Sequence, residues 1–342
     1  MIDSAQWNLV GPVRSVRCEV AEWDMERRTW KDRRFFRFVV FDIHGRIAQL
    51  DQRGPHDSTY RTQYVYDADG RLSSETSGPA GDRVAFARRW TYDERGRESS
   101  IVIAHRDGPE QLWQQSTYDD QGRRTDRVMF SPDQRVDGHG VRGSEFGYGA
   151  PGAVSQITRY DGSGQPVETE FFEPAGAVVR RVRMTRDAQG RVVAEEAEMP
   201  AAAAGFLREP GMSDAQLAAM QAAVATAMNM RTVYEYDGNG RQSSRTMRMG
   251  RLAEDRITNR YDDHGNLLAQ SQVRTDRGME VGEDGAVQIA PDTTRAHDTR
   301  FAYVYDPQGN WTEKVVSSRR TEGDDFSPTN AEWRTMEYDG QG

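Results

Sequence analysis

The sequence has one cysteine and no apolar run long enough to form a membrane helix. Cys18 has no second thiol with which to form an internal disulfide. It alternates with Val16 and Val20, which predicts a buried structural thiol. No stretch of about 18 apolar residues occurs, and the N-terminus lacks the charged and apolar regions of a signal peptide. These absences predict a protein that is cytoplasmic, or exported without a cleaved signal peptide, and that has no membrane span.

Hydrophobic residues are also scarce, at 36% of the chain, and the mean hydropathy is −0.84. A single deep core is therefore not expected, and a thin architecture in which each strand buries one face fits better. The 7 Trp, 13 Tyr and 12 Phe argue against disorder. The net charge of −9 would repel a phosphate backbone, so nucleic acid is not an expected partner.

No arrangement of residues in the sequence indicates an enzyme. The six histidines are scattered without metal-ligand spacing, and no histidine near Cys18 could act as its base. A row of similar aspartates in turns offers no unique pair of carboxylates. We therefore expect no catalytic residues, no cofactor and no metal.

The dominant feature is a repeated pattern of an aromatic residue, Asp, two variable residues and Gly. Its first copy runs from Phe41 to Gly45 and its last from Tyr338 to Gly342, and in one copy Arg186 occupies the aromatic position. The predicted structural turn residues are Asp42, Gly45, Asp67, Gly70, Asp93, Gly96, Asp119, Gly122, Asp161, Gly164, Asp187, Gly190, Asp237, Gly240, Asp262, Gly265, Asp306 and Gly309.

The chemistry of a tight hairpin accounts for this spacing. The Asp side chain accepts a hydrogen bond from a nearby backbone N–H, and Gly takes the left-handed conformation that closes the turn. Before each turn the apolar residues alternate, as Tyr64 and Tyr66 do, which is typical of strands with one buried face. Most turns recur after about 25 residues, enough for one strand out, a second turn and one strand back. The motif therefore marks one edge of a sheet.

The longer intervals predict insertions at the opposite edge, at 131–152, 199–230 and 278–299. We divide the chain into an N-terminal strand or cap region, 1–35, and a repeat array, 36–342, which together form one continuous unit. The last turn lacks a return strand, so either the chain is a fragment or another segment completes that edge.

An Ala-rich stretch at 213–228 is predicted to be the one inserted helix. Its apolar stripe either packs on the sheet or forms a surface for a partner. The residues of this candidate partner surface are Leu217, Met220, Val224 and Met228.

The repeats, of which Tyr66-Asp67-Ala68-Asp69-Gly70-Arg71 is an example, resemble the YD repeats of Rhs proteins, Tc toxin C components and teneurins. The resemblance implies a long antiparallel β-meander that curls or spirals into a shell. It also implies a role beside a bacterial polymorphic toxin or secretion system. Asp306-Pro307-Gln308-Gly309 looks like the self-cleavage motif of that family, but it occupies an ordinary repeat turn.

The expectation from sequence is thus a non-enzymatic scaffold of the all-β class that contacts proteins, as a shell segment, an accessory or an immunity-type protein. Its partner would be a toxin, a secretion component or a neighbouring repeat protein. The alternative is a cell-surface repeat protein that binds carbohydrate by aromatic stacking. The candidate stacking residues are Trp30, Trp113, Trp311 and Trp333.

Overall fold

The computed structural model describes most of the chain. The described residues are 7, 9–54, 57–81, 84–106, 108–131, 153–173, 176–200, 213–215, 217, 229–250, 252–281, 287–320 and 323–339, with backbone alone for 278–281 and 287–291. Within them the elements are strands.

The strands alternate in direction and belong to one sheet. They are β1 (Val13–Asp24), β2 (Thr29–Trp30), β3 (Arg34–Phe41), β4 (Ile47–Arg53), β5 (Thr59–Tyr66), β6 (Leu72–Pro79), β7 (Phe86–Tyr92), β8 (Glu98–His105), β9 (Gln111–Tyr118), β10 (Arg124–Phe130), β11 (Val154–Tyr160), β12 (Pro166–Phe172), β13 (Val178–Arg186), β14 (Val192–Glu198), β15 (Met230–Tyr236), β16 (Gln242–Met249), β17 (Ala253–Tyr261), β18 (Leu267–Val281), β19 (Val287–Tyr305), β20 (Trp311–Arg319) and β21 (Ser327–Tyr338).

The sheet closes on itself through β1. On one side β1 pairs with β3, where Val16 is opposite Val39, and on the other it pairs with β21, where Val16 is opposite Met336. From β3 to β21 each strand pairs with the next along the chain. Apart from the two-residue β2, which pairs with the end of β1, the strands therefore form a closed antiparallel barrel of 20 strands.

The repeated motif forms the hairpin turns of one rim, which we call the turn rim. In the first turn, Gly45 N donates to Asp42 O (2.9 Å) and Asp42 N donates to Arg46 O (2.8 Å). The Asp42 carboxylate accepts from the backbone N–H of His44 (2.8 Å) and of Arg46 (3.0 Å). Gly45 has φ of +73°, a conformation that other residues adopt only with strain. The turns that follow repeat this arrangement along the rim.

The best-packed part of the molecule lies beside the closure. Val16, Cys18 and Val39 are fully buried there, and Phe41 and Ile47 pack against them. These residues come from β1, β3 and β4, so the first strands of the chain form a hydrophobic anchor next to the point where the last strand joins.

The predicted fold class was wrong in its architecture. The sequence indicated a curled or spiralling meander and left its closure open, because the repeats contain no information about where the first and last strands meet. In the structure β1 pairs with strands on both sides, and a sheet closed in this way has no free edge.

Among the described residues near 213–228, where a helix was expected, the structure has a single helical turn and no longer helix. Residues 213–215 and 217 are described; the backbone is helical at Asp214, Ala215 and Leu217, and Leu217 N donates to Ser213 O (2.9 Å). The remainder lies outside the described residues. In the described part of the chain, no helix has the length and apolarity to cross a membrane.

Candidate functional site

The closed sheet has two faces of different character. On β5, Tyr64 and Tyr66 are half-buried, whereas Gln63 and Val65 between them are exposed. The register carries this division from strand to strand, because residues directly opposite each other share a face. We call the side with Tyr64 the aromatic face and the other the exposed face. Side chains converge on the concave side of a closed sheet, so the more buried aromatic face is assigned to the interior.

The number of strands indicates that the barrel is hollow. Barrels of 16 to 18 strands already leave an aqueous channel, whereas about eight strands give an interior filled by side chains. The interior of this 20-stranded barrel is thus a lumen, and its wall is the aromatic face.

A ladder of side chains stabilises the turn rim. Arg71 Nε donates to the Asp67 carboxylate of its own turn (2.7 Å), and its guanidinium lies 4.5 Å from the ring centre of Tyr92 in the next turn. The Tyr92 hydroxyl donates to Leu72 O (2.7 Å). The same cation–π contact recurs in the pairs Arg46/Tyr66, Arg97/Tyr118, Arg191/Tyr236 and Arg241/Tyr261.

The ladder changes where Asn replaces Arg. Asn266 Nδ2 donates to the Tyr305 hydroxyl (2.9 Å), which in turn donates to Asp262. Asn310 likewise donates to the Tyr338 hydroxyl (2.8 Å). Asn310 also donates to Val10 O (2.8 Å) and accepts from Val10 N (2.6 Å). The last full turn is therefore bonded to the segment that leads into β1.

Between the two rims the aromatic face carries a row of charged residues, which we call the lumen belt. Its cations are Arg37, Arg88, Arg124, Arg127, Arg180, Arg245, Arg274, Arg295, Lys314 and Arg334. Its acids are Glu75, Glu98, Glu195, Asp255, Asp276 and Glu332.

The cations of the lumen belt outnumber its acids. Some pair one to one, as Arg88 does with Glu75 (3.3 Å) and Arg245 with Asp255 (3.1 Å). Arg127 on β10 has a buried Nε with no hydrogen-bond partner. Because the whole chain has a net charge of −9, the excess of positive charge is a local property of this wall.

The densest part of the belt lies at the closure, and we call it the seam cluster: Cys18, Arg37, Lys314, Glu332 and Arg334. Glu332 receives Lys314 Nζ at 2.7 Å, Arg37 Nη2 at 3.2 Å and Arg334 Nε at 3.8 Å. The strands β1, β3, β20 and β21 supply these residues, so the cluster exists only in the closed sheet.

Burial and charge act in opposition in the seam cluster. Burial alone would raise the pKa of Glu332, but the hydrogen bond and charge of Lys314, together with Arg334 and Arg37, bring it below its usual value. Burial lowers the pKa of Arg334 and raises the pKa of the Cys18 thiol. Cys18 is thus a neutral thiol beside two guanidinium groups.

The exposed face is polar and holds its own ion pairs. Arg159 Nη1 lies 2.7 Å from Glu168, and Arg181 Nη2 lies 2.7 Å from the buried Glu170. Residue pairs of this kind bridge adjacent strands and stabilise their pairing. Opposite charges are balanced there, in contrast with the lumen belt.

The residues singled out from the sequence lie in several places. Of the candidate partner surface, Leu217 is described and half-buried, whereas Met220, Val224 and Met228 lie outside the described residues. Trp311 lies on the aromatic face next to Arg334, and Trp333 lies on the opposite face. Sequence reasoning missed the lumen belt. A charged residue on an aromatic face is interpreted as a break in the apolar pattern unless the sheet is known to be closed.

No described group of His, Cys, Asp and Glu is arranged to hold a metal ion. Of the insertion at 199–230, the structure describes residues 199–200, the helical turn at 213–215 and 217, and residues 229–230. Of the segment 278–299, residues 278–281 belong to β18 and residues 287–299 to β19, and residues 282–286 lie outside the described part of the chain. Residues 132–152 lie outside the described part of the chain.

Comparison with known proteins gives distant resemblances of structure. No family model and no curated protein matches the chain. The Tc toxin complex TcdB2-TccC3 with Cdc42 is 11% identical with a TM-score of 0.24, covering 91% of this chain and 19% of that one. A porin-like protein from Bacteroides uniformis is 11% identical with a TM-score of 0.30, covering 96% and 99%. OpdK of Pseudomonas aeruginosa, solved with vanillate, is 11% identical with a TM-score of 0.23, covering 95% and 98%.

These TM-scores are too low to support an argument about function. The chain spans about a fifth of the length of the Tc toxin chain that it matches. The similar structures include a Tc toxin component and porin-like proteins, and the barrel described above is assigned from its own strand pairing.

Several functional expectations were wrong. A repeat scaffold beside a toxin system, and its carbohydrate-binding alternative, were both built on a curled or spiralling sheet that presents surfaces to partners; the sheet is instead a closed 20-stranded barrel. The expected toxin or secretion partners depended on that scaffold, so this prediction was wrong too. The expected localisation, cytoplasmic or exported without a signal, and the expected lack of a membrane span were wrong as well. Both considered helices and leader peptides alone, whereas the sheet closes into a 20-stranded barrel, a structure that can span a membrane with strands.

Proposed function

We propose that this protein works through its interior, as a hollow channel-type barrel whose arginine-rich lumen admits anionic solutes. The observation that carries the proposal is the lumen belt: a closed wall on which cations outnumber acids in a chain that is acidic as a whole. A concave wall of one sign raises the local concentration of solutes of the opposite sign. The solute enters and binds without a chemical step.

The aromatic rings of the same face support this role. Arg88 lies 4.6 Å from the ring centre of Trp113, and Arg334 lies 3.4 Å from that of Trp311. A guanidinium held against a ring has its orientation fixed, and it still offers the N–H groups at its edge. Such groups bind carboxylate and phosphate oxygens in pairs.

We also propose that the hairpins are YD repeats which here build a barrel wall. The support is the recurrence of the Tyr-Asp-x-x-Gly-Arg unit and the ladder that joins each unit to the next. On this proposal the repeats supply the wall, and the side chains between the rims supply the selectivity.

Labelling of matched cysteines tests the proposed lumen. Gln52 on β4 belongs to the aromatic face and Gln63 on β5 to the exposed face, and both side chains are exposed. Gln52→Cys and Gln63→Cys, each combined with Cys18→Ala, would be treated with small anionic and cationic thiol reagents of equal size, and with a polymer-linked maleimide.

We expect Gln52→Cys to react faster with the anionic reagent than with the cationic one, and slowly with the polymer. Gln63→Cys should show little preference for charge and should react with the polymer. Equal behaviour of the two variants, or a preference for the cationic reagent at Gln52→Cys, would contradict the proposal.

A further inference from the structure

We propose that the seam cluster is a binding site for a small oxyanion, of the carboxylate or phosphate type, in the wall of the lumen. The inference rests on the proposed anion-accepting lumen and names one site within it. Its residues lie where the first and last strands of the barrel meet, and nothing in the repeat pattern requires them.

The first argument is charge. Arg37, Lys314 and Arg334 share a single carboxylate, that of Glu332. Cys18 adds no negative charge, because burial raises the pKa of its thiol. The cluster thus holds three positive charges and one negative charge, and buried charge without compensation is costly. An oxyanion within the cluster would offset this cost.

The second argument is the hydrogen-bonding state of Arg334. Its side chain is 8% exposed, and its Nε and Nη1 have no hydrogen-bond partner. The Nε of Arg37 on the other side of Cys18 is in the same state. Buried donors are almost always paired in folded proteins. Arg37 and Arg334 are the register neighbours of Cys18 on either side, so an acceptor with several oxygens placed beside Cys18 would meet donors of both.

The third argument is preorganisation. Trp311 holds the Arg334 guanidinium at 3.4 Å from its ring centre, and Lys314 lies 5.0 Å from the same ring. Because stacking occupies the flat side of the guanidinium, its N–H groups remain free at the edge to bind two oxygens. A carboxylate and a phosphate both present that geometry.

Trp7 lies against both arginines of the site. Its ring centre lies 4.6 Å from the Arg37 guanidinium and 5.6 Å from that of Arg334. Three residues later, the backbone N–H and C=O of Val10 are both hydrogen-bonded to the side-chain amide of Asn310. Trp7 therefore lies just before a point at which the chain is tethered.

The alternative is a purely structural cluster, in which stacking on Trp311 and Trp7 is all that Arg334 does. The two explanations differ in their response to Glu332→Gln. Removal of the carboxylate leaves a structural cluster with uncompensated repulsion and no ligand, whereas it gives an anion site more positive charge and frees its donors.

Isothermal titration of the full-length protein with inorganic phosphate and, separately, with acetate, at low ionic strength, tests the site. We expect one saturable site in the unaltered protein for at least one of the two probes, and the probe that binds more tightly identifies the source of the oxyanion. Arg334→Gln should weaken binding at least tenfold, and Glu332→Gln should tighten it severalfold.

The matched control is Arg245→Gln, which removes a lumen arginine that has its own carboxylate partner, Asp255. We expect this variant to weaken anion binding much less than Arg334→Gln does. If Arg334→Gln does not fold, Arg37→Gln replaces it, because its guanidinium contacts the same carboxylate. The gain in affinity of Glu332→Gln then excludes a purely structural cluster.

Three results would overturn the site: no saturable binding, equal binding by Arg334→Gln and the unaltered protein, or no gain in Glu332→Gln. If Arg334→Gln and Arg245→Gln lose affinity equally, anions respond to the general field of the lumen and not to this cluster. That result would reject the site and leave the proposed function standing, whereas a failure of the cysteine labelling would reject the lumen itself.

Discussion

The guanidinium of Arg46 lies 4.3 Å from the ring centre of Tyr66, one repeat further along the chain. Each arginine of the turn rim thus acts twice: it pairs with the aspartate of its own turn and supports the tyrosine of the next turn. The Tyr66 hydroxyl completes the link by donating to Ile47 O (2.8 Å). Neighbouring hairpins are therefore joined by side chains as well as by the strand ladder.

The tyrosine hydroxyls of the turn rim should stabilise the fold. Tyr92→Phe removes the hydrogen bond to Leu72 O, and we expect the free energy of unfolding to fall by about 1 kcal/mol. Urea titration followed by circular dichroism measures this. The control is Tyr64→Phe on the same face, where the described structure gives the hydroxyl no hydrogen bond. Equal losses in the two variants would show that the hydroxyl bond contributes nothing.

The glycines of the turns should differ in what they tolerate. A Cβ at Gly96 would lie 2.6 Å from Arg71 Nη1, whereas a Cβ at Gly265 would meet no atom within 4 Å. Both have positive φ, +74° and +83°, so Ala costs about 1–2 kcal/mol of backbone strain at either position.

We expect Gly96→Ala to destabilise the protein more than Gly265→Ala does, because it also displaces Arg71 from Tyr92. Thermal unfolding of the two variants in parallel makes the comparison. If Gly265→Ala is the more destabilising change, the contact between Gly96 and Arg71 does not determine which residues Gly96 can be replaced by.

The sequence predicts the hairpins well and the closure poorly, and the reason is local. Asp67 and Gly70 determine a turn through contacts within five residues, so their spacing is sufficient to recognise it. The pairing of β1 with β21 joins residues more than 300 positions apart, and no short pattern encodes it. In the sequence, Asn310 is recognisable only as a replacement for the arginine that follows most turn glycines. In the structure, its hydrogen bonds to Val10 stabilise the closure.

The lumen belt was hidden for the same reason. Arg88 interrupts the row Phe86, Trp90 and Tyr92, and an interruption of an apolar face has no meaning in an open sheet with water on both sides. Once the sheet closes, that face becomes an interior wall. The polar composition was consistent with an open sheet and with a closed one, because both are thin structures.

Stability should fall in acid because of the turn aspartates. The side-chain hydrogen bond from Arg97 and the backbone N–H groups of the turn lower the pKa of Asp93 in the folded protein. The unfolded chain, with an Asp pKa of about 4, therefore binds protons first as the pH falls. The stabilising contribution is complete above that pH and is lost as the pH falls toward the folded pKa.

We expect the free energy of unfolding, measured by urea titration between pH 7 and pH 2.5, to be level down to about pH 4 and to decline below it. The lowered pKa is shared by turn aspartates all along the rim: Asp42, Asp67, Asp93, Asp119, Asp161, Asp187 and Asp237. Asp93→Asn should make the decline shallower. A stability that rises on acidification would show that these carboxylates are not stabilising when charged.

The closure itself can be trapped by a crosslink. Ala21 on β1 is directly opposite Ala331 on β21, and both are 1% exposed. In a Cys18→Ala background, Ala21→Cys with Ala331→Cys should form a disulfide within one molecule, because directly paired strand residues lie within bridging distance. Mass spectrometry and non-reducing gels would detect it.

The control pair is Ala21→Cys with Ala104→Cys on β8, several strands away around the wall. We expect no bridge in the control, and bridges between molecules in the first pair would mean that the sheet is open and pairs with its copies.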